Sequence, residues 1–159
     1  MNIYSSISNI RLDTSHPDLQ IVFREVIKVF DNSIVYSSRS VAVQFELYKS
    51  GRSFIDGRWV ITNKNLVVTN CDGINIKSNH NYNPSRAIDA IPYPINWNDV
   101  KRIHYFAGFV MCTAIRLKEE GKIVHNIRWG GDWDRDTEVG DETFMDLAHY
   151  EIILNSNEK

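Results

Sequence analysis

Five histidines stand in the sequence, and two of them keep company that chemistry can use. His80 lies in Ser78-Asn79-His80-Asn81-Tyr82-Asn83-Pro84-Ser85-Arg86-Ala87-Ile88-Asp89, and His149 in Asp146-Leu147-Ala148-His149-Tyr150-Glu151. Two imidazoles and one carboxylate form a ligand set for catalytic zinc, with the fourth position left to water. By spacing alone the signal is weak, because a His, an Asp and a distant His occur together in many chains. Strand geometry sharpens the placement. Side chains alternate faces along a strand. In a strand over Ala87–Ile91, Asp89 shares a face with Ala87 and Ile91, and the small Ala87 leaves room beside a metal. In a strand over His149–Leu154, His149 shares a face with Glu151 and Ile153, while Tyr150, Ile152 and Leu154 face the other way. Such a strand holds a ligand on one side and core on the other. His16 precedes a proline at a helix start, His104 lies in a helix and His125 in a strand; these three read as structural or surface residues.

The elements that must position these residues follow from periodicity and turn chemistry. Leu19, Val22, Phe23, Val26, Ile27 and Phe30 fall on one helical stripe. Ser15 can cap this helix, Pro17 suits its first turn, and Asp18 favours its positive end. Ile34-Val35-Tyr36 reads as a short strand. A second helix spans roughly Val41 to Ser50, with Gly51 just past its end, where a left-handed cap belongs. Trp59-Val60-Ile61 and Leu66-Val67-Val68 read as the two strands of a hairpin joined by Thr62-Asn63-Lys64-Asn65. Ala87 to Ile91 reads as a strand stopped by Pro92 and Pro94. A third helix runs from Asp99 to Glu120, ends at Gly121 and buries Ile103, Phe106, Ala107, Val110, Ala114 and Leu117. Ile123 to Trp129 is a strand, Gly130 to Thr143 an acidic loop, and His149 to Leu154 the last strand. Helices and strands mix without regular alternation, and short connections favour antiparallel pairing. The expected class is α+β, a small antiparallel sheet flanked by about three helices.

Composition bounds the rest. A chain of 159 residues can bury about 70% of its unfolded surface in one core. With 43% hydrophobic and 24% charged residues it is neither disordered nor fibrous. Eighteen basic against twenty acidic residues give a net charge of -2, without the basic excess of a nucleic-acid binder. No apolar run is long enough for membrane insertion, and Met1 to Ser15 lack the pattern of a secretory signal. Cys71 and Cys112 are too few for a disulfide framework and read as reduced thiols. No repeat or linker divides the chain, so one domain over residues 1–159 is expected.

The motifs resemble those of the zinc D,D- and L,D-peptidases that cut peptidoglycan. That family includes D-Ala-D-Ala carboxypeptidases, vancomycin-resistance dipeptidases and phage L-alanyl-D-glutamate endolysins. Ser78-x-His80 followed by Ala87-x-Asp89 resembles its S-x-H-x-x-G-x-A-x-D signature, and Asp146-x-x-His149-x-Glu151 its closing D/E-x-x-H motif. Arg39-Ser40, with Gln44 five residues after the arginine, resembles the upstream R-[ST]-x-x-x-Q segment. His80-Asn81 with Pro84-Ser85-x-Ala87-x-Asp89, and Trp129-Gly130-Gly131-Asp132-Trp133, resemble the phage endolysin branch in particular. The resemblance runs from about Pro17 to Leu154. The chain departs from the family pattern in four places: His80 and Asp89 are nine positions apart rather than seven, Pro84-Ser85 stand in the region of the signature glycine, Ala148 occupies a place that is often proline, and Phe54 to Lys77 is longer than in many members.

The resemblance implies a hedgehog/D,D-peptidase-like fold, with zinc held by His80, Asp89 and His149. It implies that Asp146 is the general base and that Arg39 steadies the oxyanion. Ser78 would support the site by hydrogen bonding, and Gln44 would brace Arg39. Glu151, about 6.6 Å along the strand from His149, competes as base or as orienter of an imidazole. The implied substrate is the peptidoglycan stem peptide, cut at L-Ala-D-Glu. The implied protein is a monomer without a separate cell-wall-binding domain, made in the host cytoplasm and released through a holin-type pore. Three other readings stay open. One is a D-Ala-D-Ala carboxypeptidase, with Arg86 or Arg128 at the terminal carboxylate. The second is a non-catalytic zinc-containing wall-binding module, and the third a metal-free phage structural protein. The acidic loop, Asp132 to Glu142, is either a solvated flank of the cleft or a calcium site, although Thr137 and Thr143 lack the glycine and glutamate of an EF-hand. Trp129 and Trp133 either line the cleft or anchor that loop on the core.

Overall fold

The structure, a computed structural model, describes residues 2–156 and Glu158. Four α-helices occur among them: α1 (Ser6–Asp13), α2 (Pro17–Val29), α3 (Val41–Lys49) and α4 (Val100–Glu119). Four strands, β1 (Asn32–Tyr36), β4 (Ala87–Pro92), β5 (Asn126–Gly130) and β6 (Asp146–Ile153), make one antiparallel sheet in the order β1-β4-β6-β5. A separate two-stranded hairpin pairs β2 (Arg52–Ile55) with β3 (Arg58–Ile61). The architecture is the expected α+β class. No described helix is long and apolar enough to cross a membrane.

The sheet has two unlike faces, and the alternation of β6 shows why. Tyr150 and Ile152 point into the core, whereas His149 and Glu151 point to the opposite side. On the core side α2 contributes Leu19, Val22, Phe23, Val26 and Ile27, and α4 contributes Phe106, Ala107, Val110, Ala114 and Leu117. The stripes read from periodicity are the buried faces. Phe23 and Phe106 meet the fully buried Tyr150 edge-on, at 5.4 and 6.2 Å between ring centroids. Burying an apolar side chain of this size stabilises by roughly 1.5–3 kcal/mol. The opposite face is therefore held rigidly from behind.

Besides β5, which begins at Asn126 rather than at Ile123, four elements differ from the sequence expectation. The helix α1 has no apolar stripe to announce it: Ile7 and Ile10 are exposed, and it buries only Ser8 and Leu12. The cap of α2 is His16, whose Nδ1 accepts the Asp18 N–H at 3.2 Å. Ser15 instead closes α1, donating through Oγ to the Leu12 carbonyl at 2.7 Å. The hairpin contains Trp59-Val60-Ile61, but its partner is Arg52–Ile55 and not Leu66-Val67-Val68. The turn is Asp56-Gly57, both with positive φ (49° and 77°), the Asp-Gly pairing that two-residue hairpins favour. Leu66 ends a short 3-10 turn, Lys64–Leu66, and the chain then runs irregularly to the next turn at Asn79–Asn81. Finally, β6 begins at Asp146, three residues before the expected start, so Asp146 sits on the sheet. There Gly130 faces Asp146 across the β5–β6 pair, and a Cβ on Gly130 would lie 2.3 Å from the Asp146 carbonyl oxygen. Only glycine permits that approach.

Candidate active site

The exposed face of the sheet, α3 and the segment from the hairpin to His80 enclose a cleft of about 1020 Å³. Register brings the first two residues of the site together, since Asp89 on β4 is directly opposite His149 on β6. The third arrives from outside the sheet. Ser78 caps the 3-10 turn Asn79–Asn81 by accepting the His80 N–H at 3.3 Å, and the Asn81 side chain returns the bond to the Ser78 N–H at 3.0 Å. This reciprocal capping box delivers the buried His80 over the sheet.

Three ligand atoms converge. His80 Nε2 is 3.3 Å from His149 Nδ1, and Asp89 Oδ1 is 3.2 Å from each of them. The outer nitrogen of each imidazole is occupied elsewhere. His80 Nδ1 donates to the Ser37 carbonyl at 2.6 Å, which leaves its Nε2 lone pair facing the centre. His149 Nε2 donates to Glu151 at 3.0 Å. Such outer hydrogen bonds fix tautomer and ring orientation at metal sites.

Glu151 is saturated. Its carboxylate accepts from Asn79 Nδ2 at 2.6 Å, from His149 Nε2, and from the Arg128 guanidinium through Nε at 3.0 Å and through Nη2. Burial pushes this carboxyl up, but the hydrogen bonds from His149, Asn79 and Arg128 outweigh it and hold its pKa to about 2. Asp146, which also lines the cleft, is the reverse case. Burial raises it above the ordinary carboxylate value, and no hydrogen bond among the described residues offsets this. For His149, burial opposes the charged form, but Asp89 and Glu151 outweigh it and lift the imidazolium to about 9.

Arg39 sits beside this centre. Its Nη2 donates to Asp89 Oδ2 at 3.4 Å and its Nη1 to Gln44 Oε1 at 3.0 Å, while its buried Nε–H has no partner among the described residues. Gln44 is the one buried residue of α3, and its Nε2 also donates to Cys71 O at 2.9 Å and Thr69 Oγ1 at 3.3 Å. A helix with so little apolar burial is thus held by a glutamine that faces both Arg39 and the long connecting segment.

All eight residues singled out from the sequence fall in or around this one cleft. The two tryptophans part company. Trp129 is buried, with Nε1 bonded to the Leu147 carbonyl at 2.9 Å. Trp133 lines the cleft, its ring 5.6 Å from that of His149 and stacked on Phe144. Of the two arginines considered for a terminal carboxylate, Arg128 is tied to Glu151. Arg86 lies 3.7 Å over the Tyr82 ring and lines a separate hollow of about 270 Å³. Asn79 was not singled out from the sequence; its neighbour His80 was the only hint, because its partner Glu151 is 72 positions away. The acidic loop brings Asp132, Asp134 and Asp136 together, and likewise Asp136, Glu138 and Asp141. Glu142 closes the loop on itself by accepting the Trp133 N–H at 2.5 Å.

No curated protein sequence matches the chain. A family model described as phage L-alanyl-D-glutamate peptidase matches residues 2–153, nearly the whole chain and every element of the cleft. The chain belongs to the phage L-alanyl-D-glutamate peptidase family, whose members act on peptidoglycan.

Proposed function

We propose that this protein is a zinc-dependent endolysin that cleaves the L-Ala-D-Glu bond of the peptidoglycan stem. The observation that carries the reading is the convergence of His80 Nε2, Asp89 Oδ1 and His149 Nδ1 at 3.2–3.3 Å, with both outer imidazole nitrogens already engaged. Two imidazoles and one carboxylate suit zinc with an open position, so His80, Asp89 and His149 would hold the ion. Bound there, zinc supplies a readily ionised water and a positive charge for the scissile carbonyl.

The remaining work falls to the chain itself. Asp146 takes the proton of the attacking water and passes it to the leaving amine. Its raised pKa brings it closer to the working pH than an ordinary carboxylate. Glu151 is the poorer base, because four hydrogen bonds keep it ionised and turned toward His149 and Arg128. It acts as a positioning residue for the imidazole. Arg39 offers a permanent charge and an unpartnered N–H to the developing oxyanion. Gln44 fixes the guanidinium, and Ser78 holds the turn that carries His80. The protein acts as a monomer and reaches the wall from the host cytoplasm through a holin-type pore.

The carboxypeptidase alternative is weakened, since neither arginine considered for its terminal carboxylate is free in the cleft. Mass spectrometry of defined muropeptides, incubated with the protein with and without chelator, tests the reading. Cleavage between L-Ala and D-Glu, lost with chelator and restored by zinc, is the expected result. Release of D-Ala alone would move the protein to the carboxypeptidases. Zinc bound without any product would leave a wall-binding module.

A further inference from the structure

Four cations line the cleft, and they divide into two classes. Arg39 is paired with Asp89 and Arg128 with Glu151. Lys64 and Lys77 have no carboxylate partner among the described residues. Both belong to the long segment between α3 and His80, whereas all three cleft-lining carboxylates, Asp89, Asp146 and Glu151, lie on the sheet. The cleft's cations without a carboxylate partner therefore stand on the inserted wall, whereas Arg39 and Arg128 are matched by Asp89 and Glu151.

That wall is built to hold its shape. Arg52 donates to the Tyr48 carbonyl at 2.6 Å, the Thr69 carbonyl at 3.0 Å and Asn70 Oδ1 at 2.8 Å. Gln44 reaches from Arg39 to Thr69 and Cys71, so the wall and the centre share one side chain. Gly51 (φ 74°) lies so close to the returning chain that a Cβ there would stand 2.4 Å from the Asn63 carbonyl oxygen. Asp72 gathers the N–H groups of Ile74, Asn75 and Ile76 at 2.7–2.9 Å, fixing the turn before Lys77. Lys77 is three residues from His80, with its ammonium 5.6 Å over the Tyr82 ring. A charge on a preformed wall binds with less ordering cost than one on a mobile loop.

We propose that Lys77, assisted by Lys64, reads the free α-carboxylate of the glutamate whose amine is released, so that the enzyme selects stems with that carboxylate unamidated. The inference rests on the L-Ala-D-Glu reading. In that stem the glutamate continues through its γ-carboxyl, and its α-carboxylate lies one carbon from the scissile nitrogen. Arg39 and Arg128 are each paired with a carboxylate of the sheet, Asp89 and Glu151, so neither is free for such a group. Among the described residues that line the cleft, only Lys64 and Lys77 on the inserted wall are cations without a carboxylate partner.

The test compares two synthetic stem peptides, one with D-glutamate and one with its α-amide, on the zinc-loaded protein, K77M, the K64M/K77M pair and K77R. Both lysines are exposed, so these variants should fold as the parent does. The parent should prefer the carboxylate stem by kcat/KM on the order of tenfold, the worth of one charge-assisted hydrogen bond. K77M should reduce that preference, the double variant should bring it close to one, and K77R should retain most of it. Added salt should erode the parent's preference but not that of the double variant. A preference that survives the double variant, or a parent that cuts both stems equally, overturns the assignment while leaving the peptidase reading intact. Failure of the parent to cut either stem between L-Ala and D-Glu overturns that reading and this inference with it.

Discussion

Two clusters in this molecule have the same ingredients, and only one has the geometry of a reactive centre. His80, Asp89 and His149 form one; His16, Asp18 and His125 form the other. Each brings two imidazoles and a carboxylate within 4.8 Å. In the first, the outer nitrogens are tied to Ser37 and Glu151, and the inner atoms face one another. In the second, four of the possible ligand atoms already make hydrogen bonds within the protein. His16 Nδ1 caps α2 through the Asp18 N–H. Asp18 Oδ2 accepts from the Val124 N–H, the His125 N–H and His125 Nδ1, and His125 Nε2 is held by Glu158 at 2.7 Å. This cluster is a clasp that ties the start of α2 to the entry of β5. Ligand type nominates a metal site, and what occupies each second atom decides between the two.

The largest expected effect separates the clusters directly. H149A should abolish turnover by at least about 10³-fold, since removing one member of a unit that acts together costs most of its effect. H16A should leave kcat/KM within about twofold in the folded protein, because a helix cap stabilises without touching substrate. Zinc analysis of the purified protein should give one ion per chain, falling in H149A and unchanged in H16A. Two zinc ions per chain would break the comparison.

Much of the first cluster was legible because it rests on local patterns. The alternation of Asp89 and of His149 with Glu151 gave the right face, and the stripes of α2 and α4 gave the support behind it. The turn at Asp56-Gly57 was also written in the sequence, but Leu66-Val67-Val68 was apolar enough to take the place of its partner strand. The helix α1 was invisible, because its fold-specific contacts are made by Ser8 and Leu12 and not by a stripe. Least legible were the partners of Glu151. Arg128 faces it across β5–β6, an opposite-charge pair that follows only from a register no local pattern supplies. The helix α3 was found, yet its reason was not: Gln44 is its sole buried residue.

If Asp18 is a clasp, its removal should be read in stability and not in chemistry. D18A strips one side chain that serves three hydrogen bonds and leaves the Val124 N–H, the His125 N–H and His125 Nδ1 without that partner. Breaking a buried pair of this kind costs about 3–5 kcal/mol, or a fall in Tm of roughly 10 °C for a chain of this size. Thermal unfolding measures it, with zinc content per folded molecule unchanged. E151A should show the opposite pattern. It frees the His149 ring and should lower metal affinity by about 10–100-fold, read by competition with a chromogenic chelator, with a smaller change in Tm once zinc is saturating.

The smallest effect is also the one specific to the clasp. Burial disfavours the charged form of His125, but the hydrogen bonds it donates to Asp18 and Glu158 outweigh this and hold its pKa above the ordinary histidine value. The folded state therefore binds this proton more tightly than the unfolded chain, whose histidine titrates near about 6.5. The stabilisation is fully present below that pH and is lost as pH rises through the folded value. The stability difference between the parent and H125N, followed by denaturant unfolding, should be largest under mildly acidic conditions and shrink toward alkaline pH. A difference that grew with pH would mean that His125 sits neutral between its two carboxylates, with a donor at one face only, and the clasp would then be a hydrogen bond to Asp18 rather than a charge bridging two acids.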